Sequence, residues 1–321
     1  MAHRSLGTSG PSVSRIALGS WRTFERMRRD DAERLLAHAL RAGIDFLDDA
    51  RYDDETGQAP LPTGYSEVLF GELFAAVRAP RDRITVSNKL WWEFWPSQDA
   101  VSELEGSLER MGFDRIDLLY SSTLPDELRP EEAAGQIAAV LATGRVGAWG
   151  VVNWSAQALD RAAREAQRLS IPAPCAVQLP YSLARRDWVE DPAMEAALAA
   201  CGASLVPSAV LAGGALSGKY GSAGSGSGES GSAGFGSGAG RLSSELGDPR
   251  HRRALELGAA LRPVAEQLGC TPAALAIAFT LGHPRTAATL IGATTPGQID
   301  EAIAAVDLAE RADVRAALRA L

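Results

Sequence analysis

Short apolar segments alternate along this chain with longer segments that carry apolar residues at helical spacing. Apolar side chains fill the short segments from end to end, as in strands buried on both faces of a parallel sheet. They predict eight strands: Ser14–Leu18, Ile44–Asp48, Ile84–Asn88, Ile116–Tyr120, Gly147–Val151, Ala176–Gln178, Ser204–Pro207 and Thr289–Ile291.

The segments between these strands are rich in Ala and Leu and show the apolar repeat of amphipathic helices. Thr271 before Pro272 has the pattern of an N-cap followed by a first-turn proline, and Ser97 is predicted to cap the helix that follows it. The predicted helices include Asp31–Ala42, Ser97–Met111, Pro130–Thr143, Ser155–Leu169, Asp191–Cys201 and Thr271–Leu281.

The repeated strand–helix order indicates the α/β fold class. Eight alternations over about 300 residues are typical of a (β/α)₈ TIM barrel, and a short N-terminal β-hairpin is expected around Ser5–Val13. A doubly wound sheet is the weaker alternative, because no G-x-G-x-x-G follows the first strand. Residues 1–321 are expected to form one barrel domain.

Residues Gly221–Gly240 differ from the rest of the chain, because they are almost entirely Gly, Ser and Ala. Such a composition cannot form a packed core and behaves as flexible coil. The segment follows the seventh predicted strand, so it is expected at the barrel mouth. It is either an inert insertion or a loop that orders over a bound ligand.

Composition narrows the classes of partner. The net charge of −8 and the isoelectric point near 5.2 argue against nucleic acid as the main partner. The three cysteines have no close spacing, which favours a reducing compartment and gives no metal framework. No signal-peptide pattern opens the chain and no long apolar run occurs. We therefore expect a cytoplasmic protein that makes no contact with membranes.

Two predicted strands end in ionisable residues. The first ends at Asp48 and is followed by Tyr52, and the second is followed by Lys89. The carboxyl ends of barrel strands meet at one rim, so these three side chains should lie together. An ammonium next to a phenol favours the phenolate, and a carboxylate keeps the ammonium charged. This set of groups is suited to proton transfer during carbonyl reduction.

Seven fragments, in order, resemble the aldo-keto reductase family. Each fragment is weak by itself, but together they span the whole predicted barrel. They are Leu6–Trp21, Ala42–Asp48, Ser66–Gly71, Gly150–Ser155, Val177–Ser182, Leu211–Tyr220 and Ile291–Gln298.

The resemblance implies a catalytic tetrad of Asp, Tyr, Lys and His. Asp48, Tyr52 and Lys89 match the first three, whereas Ser122 stands where the family has histidine. A serine hydroxyl can donate a hydrogen bond but cannot become cationic. Tyr52 follows the aspartate by four positions and not by the family's usual five, so Tyr65 is the alternative proton donor.

The resemblance also implies an extended nicotinamide dinucleotide across the barrel mouth. Asn153 and Gln178 would bind the carboxamide, and the glycine-rich turn before Lys219 would bind the pyrophosphate. Residues matching the family's 2′-phosphate segment are neutral, so NADP(H) is expected and NAD(H) remains an alternative. The implied cofactor residues are Gly19, Ser20, Trp21, Asn153, Gln178, Ser208, Leu211, Gly213, Leu216, Gly218, Lys219, Gly292, Thr294 and Gln298; no metal is expected.

Aromatic residues crowd the segment after Lys89, where Trp91, Trp92, Phe94 and Trp95 follow almost consecutively. With Trp21 and Trp154 they are expected to line an apolar or aromatic pocket for a bulky or aromatic carbonyl compound. Two functions stay open: NADP(H)-dependent reduction of an aldehyde or ketone, or its reverse, and a catalytically weak nicotinamide-binding protein that regulates a partner. A homo-oligomer is common in this family, and nothing in the sequence supports or excludes one.

Overall fold

The computed structural model describes residues 1–220 and 251–321, so the predicted loop Gly221–Gly240 lies outside the described residues. Two short strands form an N-terminal hairpin and eight strands form the barrel wall. In chain order they are β1 His3–Ser5, β2 Ser12–Ser14, β3 Ile16–Gly19, β4 Phe46–Asp48, β5 Thr85–Leu90, β6 Ile116–Ser121, β7 Val146–Val152, β8 Ala176–Pro180, β9 Ser204–Ser208 and β10 Thr289–Ile291.

The eight wall strands are parallel and follow the order β10-β3-β4-β5-β6-β7-β8-β9. A single parallel bridge between Leu205 and Thr286 brings the two ends of this order together. The predicted (β/α)₈ barrel is therefore confirmed. Because all strands run in one direction, their carboxyl ends share one rim.

Helices surround the strands on the outside. Their bounds are α1 Arg29–Arg41, α2 Tyr65–Ala76, α3 Ala100–Met111, α4 Pro130–Ala142, α5 Ala156–Arg168, α6 Pro192–Cys201, α7 Arg252–Leu268, α8 Pro272–Leu281, α9 Pro296–Glu310 and α10 Ala312–Arg319. Apolar residues between the wall and these helices form the main core. Within residues 1–220 and 251–321, no single helix is long and apolar enough to span a membrane; α7 and α8 pass that test only as a pair bent by 94°.

One predicted helix cap is wrong. Ser97 lies in a turn, where its hydroxyl donates to the carbonyl oxygen of Phe94, and α3 begins only at Ala100. Asp99 is the cap, because its carboxylate accepts the backbone N–H of Ser102 at 2.8 Å. The cap predicted at Thr271 is present, and its hydroxyl accepts the N–H of Ala274.

The predicted N-terminal hairpin is confirmed, with Arg4 of β1 paired to Val13 of β2. Leu6 and Val13 are fully buried and pack with the inward-facing Ala17 and Phe46. The hairpin precedes β3, so it covers the amino-terminal end of the barrel and leaves the carboxyl-terminal rim uncovered.

Candidate active site

The strand register brings the predicted acid and base groups to one level of the barrel. Asp48, the last residue of β4, lies opposite Ser87 of β5, and Lys89 of the same strand lies opposite Tyr120 of β6. Side chains alternate along a strand, so Ser87 and Lys89 both point into the barrel. The candidate site therefore lies at the carboxyl-terminal rim.

Lys89 connects the predicted catalytic side chains. Its ammonium nitrogen Nζ is 2.7 Å from Oδ2 of Asp48 and 3.3 Å from the hydroxyl of Tyr52. The other carboxylate oxygen of Asp48 accepts the Ser87 hydroxyl at 2.6 Å. The lysine and aspartate side chains are only 4% and 2% exposed, so this is a buried ion pair. The Asp, Tyr and Lys predicted from the sequence are thus in direct contact.

The short spacing between Asp48 and Tyr52 is compensated by a tight turn. The backbone N–H of Tyr52 donates to the carbonyl oxygen of Ala50 and to the hydroxyl of Ser66. The Ser66 hydroxyl in turn donates to Ala50 at 2.6 Å. Tyr65 begins α2 and packs against the core, so the phenol beside Lys89 is that of Tyr52.

The charges of this site differ in one respect from the expectation. Burial lowers the pKa of Lys89, but Asp48 and Tyr52 outweigh it and raise that pKa. Burial also raises the pKa of Tyr52 by more than the Lys89 ammonium lowers it. The phenol is therefore not brought toward neutral pH. At neutral pH the site holds a protonated tyrosine beside a charged lysine.

Asp49 is a second carboxyl group next to Asp48, and it is fully buried. The Ser20 hydroxyl donates to its Oδ1, and its backbone carbonyl accepts Lys89 Nζ at 3.2 Å. Among the described residues, none provides a hydrogen bond to Oδ2. Burial, followed by the charge of Glu67, raises the pKa of Asp49 well above its ordinary value, which favours the neutral acid.

Ser122 follows β6 at the position predicted for the missing histidine. It is 2% exposed, its N–H donates to the carbonyl of Leu90, and its own carbonyl accepts the Trp154 indole at 2.6 Å. Two histidines of the chain are engaged elsewhere: His3 pairs with Asp45 before β4, and His38 of α1 pairs with a residue of α9. Ser122 is therefore held in place next to Lys89's strand.

The aromatic residues predicted to line the pocket divide into two groups. Trp21 and Trp91 lie beside the Tyr52 ring, with ring centroids 6.3 and 6.0 Å away. Trp92 turns away from the mouth: it is buried in the core, donates to the Ser121 hydroxyl and contacts Trp95 edge-on. The aromatic lining next to Tyr52 therefore consists of Trp21 and Trp91, and Trp92 is not part of it.

Glu103 of α3 is a site-supporting residue that sequence reasoning did not find. Its carboxylate accepts the backbone N–H of Trp91 at 2.6 Å and that of Trp92 at 3.2 Å. Burial raises its pKa, and these two N–H groups oppose the change. The only sequence signal was an acid among the apolar positions of a helix, which does not reveal a partner on another element.

The residues predicted to hold the nicotinamide lie at the ends of β7 and β8. Asn153 follows β7 in a left-handed backbone conformation, φ 60°, and its N–H donates to the carbonyl of Gln178. Gln178 is 4% exposed, and no described residue bonds its amide nitrogen. Ser20 and Trp21 follow Gly19, the last residue of β3. All four positions lie at or near the carboxyl ends of wall strands, and the N–H of Ser20 donates to the carbonyl of Asp48.

The predicted phosphate-binding turn is left-handed over three residues. Ala212, Gly213 and Gly214 have φ of 47°, 68° and 100°, and the N–H groups of Ala212 and Gly214 donate to the carbonyls of Ala209 and Leu211, both at 2.9 Å. A Cβ on Gly214 would lie 3.1 Å from Nζ of Lys219, so glycine lets the ammonium approach the turn. Arg262 of α7, which was not predicted, donates to the carbonyl of Gly218. The turn also contains the predicted Leu211 and Leu216.

The segment predicted to face the 2′-phosphate of the cofactor begins at Gly292, directly after β10. Thr295 caps α9, and Oε1 of Gln298 accepts the N–H and hydroxyl of Thr294 at 2.7 and 3.3 Å. This loop is closed by neutral hydrogen bonds. Its predicted members contribute hydroxyl and amide groups and no fixed charge.

Fold and site together define a (β/α)₈ barrel in which Asp48, Lys89 and Tyr52 are in contact at the carboxyl-terminal rim. The chain belongs to the aldo/keto reductase family: the sequence model of the Aldo/keto reductase family matches residues 15–321. It is 31% identical over 317 residues to a "Probable voltage-gated potassium channel subunit beta" of Oryza sativa subsp. japonica, covering 96% of this chain and 92% of that protein. A protein of the same description from Arabidopsis thaliana is 30% identical over 318 residues, with the same coverage.

Proposed function

We propose that this protein is a nicotinamide-dependent reductase that converts an aldehyde or ketone into the alcohol, or catalyses the reverse reaction. The observation that carries this proposal is the contact of Lys89 Nζ with both Asp48 and the Tyr52 hydroxyl. A protein that only binds a nucleotide has no need of a buried ion pair beside a phenol. The three free cysteines fit a cytoplasmic protein.

Tyr52 is the proton donor in this proposal. Its phenol is protonated at neutral pH, because burial raises its pKa. When the phenol gives its proton to the substrate oxygen, the adjacent Lys89 ammonium stabilises the phenolate that remains. Asp48 keeps the lysine charged and oriented. The bound nicotinamide would supply the hydride.

The residues present fit a nicotinamide dinucleotide. Gly213 and Gly214 let a pyrophosphate approach the backbone closely beside the Lys219 ammonium, and the amide of Gln178 suits a nicotinamide carboxamide. NADP(H) is the proposed cofactor by family resemblance. NAD(H) is the alternative, since Thr294 and Gln298 offer a 2′-phosphate hydrogen bonds without a cation.

The substrate proposed is a bulky or aromatic carbonyl compound. Trp21 and Trp91 both lie next to the Tyr52 ring, and Trp21 is 47% exposed. Flat apolar walls next to the proton donor favour a planar substrate whose carbonyl oxygen reaches the phenol. Small polar sugars would gain little from such walls.

The test compares Tyr52 with Tyr65, the two tyrosines that follow β4 and were the alternative proton donors. Tyr52→Phe should remove oxidation of NADPH by a panel of aromatic aldehydes and ketones, while its NADPH affinity, followed by tryptophan fluorescence, stays within about twofold. Tyr65→Phe is the matched control and should keep both properties. Full turnover in Tyr52→Phe would refute the proposed role of this residue.

A second function is supported by the relatives and by Ser122. Both relatives are named as channel beta subunits, and serine in place of histidine removes a group that can be cationic. We propose as the alternative that nucleotide binding regulates a partner protein, with weak catalysis. Tight NADPH binding with no turnover on any carbonyl would favour this alternative. Sedimentation of the purified protein with and without NADPH would show whether a homo-oligomer accompanies it.

A further inference from the structure

Tyr120 is an unusual residue inside the barrel mouth. It lies on β6 opposite Lys89 of β5 and Gly150 of β7, and it is fully buried. A Cβ on Gly150 would come within 2.9 Å of its ring, so the glycine provides the space that the ring fills. The family resemblance assigns no role to this phenol, and the mechanism above does not use it.

The Tyr120 hydroxyl and the Gln178 amide nitrogen are both buried without a hydrogen bond to any residue that the structure describes. The strand register makes them neighbours across Gly150, which pairs with Tyr120 on one side and with Ala176 on the other, and Gln178 lies two residues after Ala176 on the same inward face. The Gln178 amide accordingly lowers the pKa of the phenol. Burial has the largest effect on the pKa of the Tyr120 phenol and, together with the negative charge of Asp48, raises it well above its ordinary value. The phenol therefore stays neutral and remains a donor. Two adjacent unsatisfied polar atoms in a dry site are costly.

One rotation satisfies both atoms. The flat amide of Gln178 can turn by half a revolution about its last side-chain bond, which exchanges its oxygen and nitrogen without displacing neighbours. Oε1 then faces Tyr120 and accepts the phenolic proton, and the NH₂ group takes the position that the oxygen occupied before the rotation. With the nitrogen toward the phenol instead, the hydroxyl hydrogen would still lack an acceptor.

We propose that Tyr120 is a positioning residue that holds the Gln178 amide with its NH₂ group toward the barrel mouth, where it donates to the carboxamide oxygen of a nicotinamide. This inference rests on the proposed function, because it assumes a nicotinamide at the rim. It adds that the phenol on β6 selects the orientation of the amide on β8. Tyr120 would influence only the nicotinamide half of the cofactor.

The experiment measures binding and does not depend on turnover. Calorimetry would give the affinities of NADPH and of ADP-ribose 2′-phosphate, which lacks nicotinamide, for the wild type, Tyr120→Phe, Gln178→Leu and the double variant. Tyr120→Phe should weaken NADPH binding about fivefold, the effect of one hydrogen bond, and leave the fragment unchanged. In the Gln178→Leu background the tyrosine substitution should have no further effect.

Several outcomes would overturn the inference. They are equal NADPH affinity in Tyr120→Phe and wild type, an equal loss for NADPH and the fragment, and additive losses in the double variant. Tyr181→Phe is the matched control, because its buried hydroxyl donates to Glu190 and not to Gln178. Each substitution removes one buried hydroxyl, so each should lower the melting temperature slightly, but only Tyr120→Phe should weaken NADPH binding. Failure of the wild type to bind NADPH or NADH would refute the proposed function itself, which separates the two failures.

Discussion

The buried ion pair between Asp48 and Lys89 gives the sharpest prediction. Lys89→Met keeps an unbranched, flexible side chain that is one atom shorter and removes its charge. Asp48, 2% exposed, would retain the Ser87 hydroxyl at 2.6 Å but lose the ammonium at 2.7 Å. A buried carboxylate left without its counter-charge destabilises a fold by about 3–5 kcal/mol. We expect a loss of that size in the free energy of unfolding at neutral pH.

Two controls test the reasoning. Asp48→Asn/Lys89→Met removes both charges, so it should regain most of the loss, because neutral groups carry no uncompensated charge. Arg164→Met breaks a surface pair of nearly the same length, 2.6 Å to Asp160, whose side chains are 78% and 40% exposed. It should cost less than about 0.5 kcal/mol, because water screens exposed pairs.

The assay is equilibrium denaturation in urea, followed by circular dichroism and by tryptophan fluorescence. If Lys89→Met costs no more than Arg164→Met, burial does not determine the strength of this pair and the reasoning fails. It fails equally if the double variant is as unstable as the two single substitutions added together. Either result would weaken the argument that the pair is kept for proton transfer.

Three further changes have expected outcomes. The pKa of Asp49 is higher in the folded than in the unfolded protein, so this carboxyl contributes stability at acid pH that is lost as pH rises. In urea denaturation, Asp49→Asn should therefore have a larger free energy of unfolding than the wild type at about pH 8. The difference should shrink toward about pH 4, by at most about 1.4 kcal/mol per pH unit. An unchanged difference would contradict this. Ser122→His should raise kcat/KM for carbonyl reduction by up to about 10²-fold, whereas Ser122→Ala should not raise it. Gly71→Ala should destabilise the protein, because a Cβ there would lie 2.0 Å from the Met111 carbonyl oxygen, while Gly135→Ala, with open space, should stabilise α4 by about 0.5–1 kcal/mol in thermal unfolding.

Several helices were not among those predicted from the sequence. In α2, apolar side chains and the fully buried Glu67 lie on more than one face, so the helical repeat is weak. The carboxylate of Glu67 is held by Asn88 of β5 and Arg110 of α3. These partners are distant in sequence, and a local pattern cannot indicate them. The wrong cap at Ser97 has a local origin. Ser97 and Asp99 both carry a side-chain oxygen that can cap a helix, and the structure uses Asp99.

The sequence by itself determined the barrel, its hairpin and the identity of the Asp–Tyr–Lys set. Apolar runs of strand length and helical repeats are local properties, so the eight parallel strands could be read from them. The same holds for the polar residues that end each strand, since parallel strands bring those ends to one rim.

Only the tertiary structure decided how these groups act on one another. The turn at Ala50 and Ser66 brings Tyr52 to Lys89 despite its short spacing. Burial keeps the phenol protonated although an ammonium lies beside it. The orientation of Trp91 and the unsatisfied atoms of Tyr120 and Gln178 depend likewise on neighbours far away in sequence. Desolvation and hydrogen-bond partners arise only when distant segments pack, which is why no local pattern contains them.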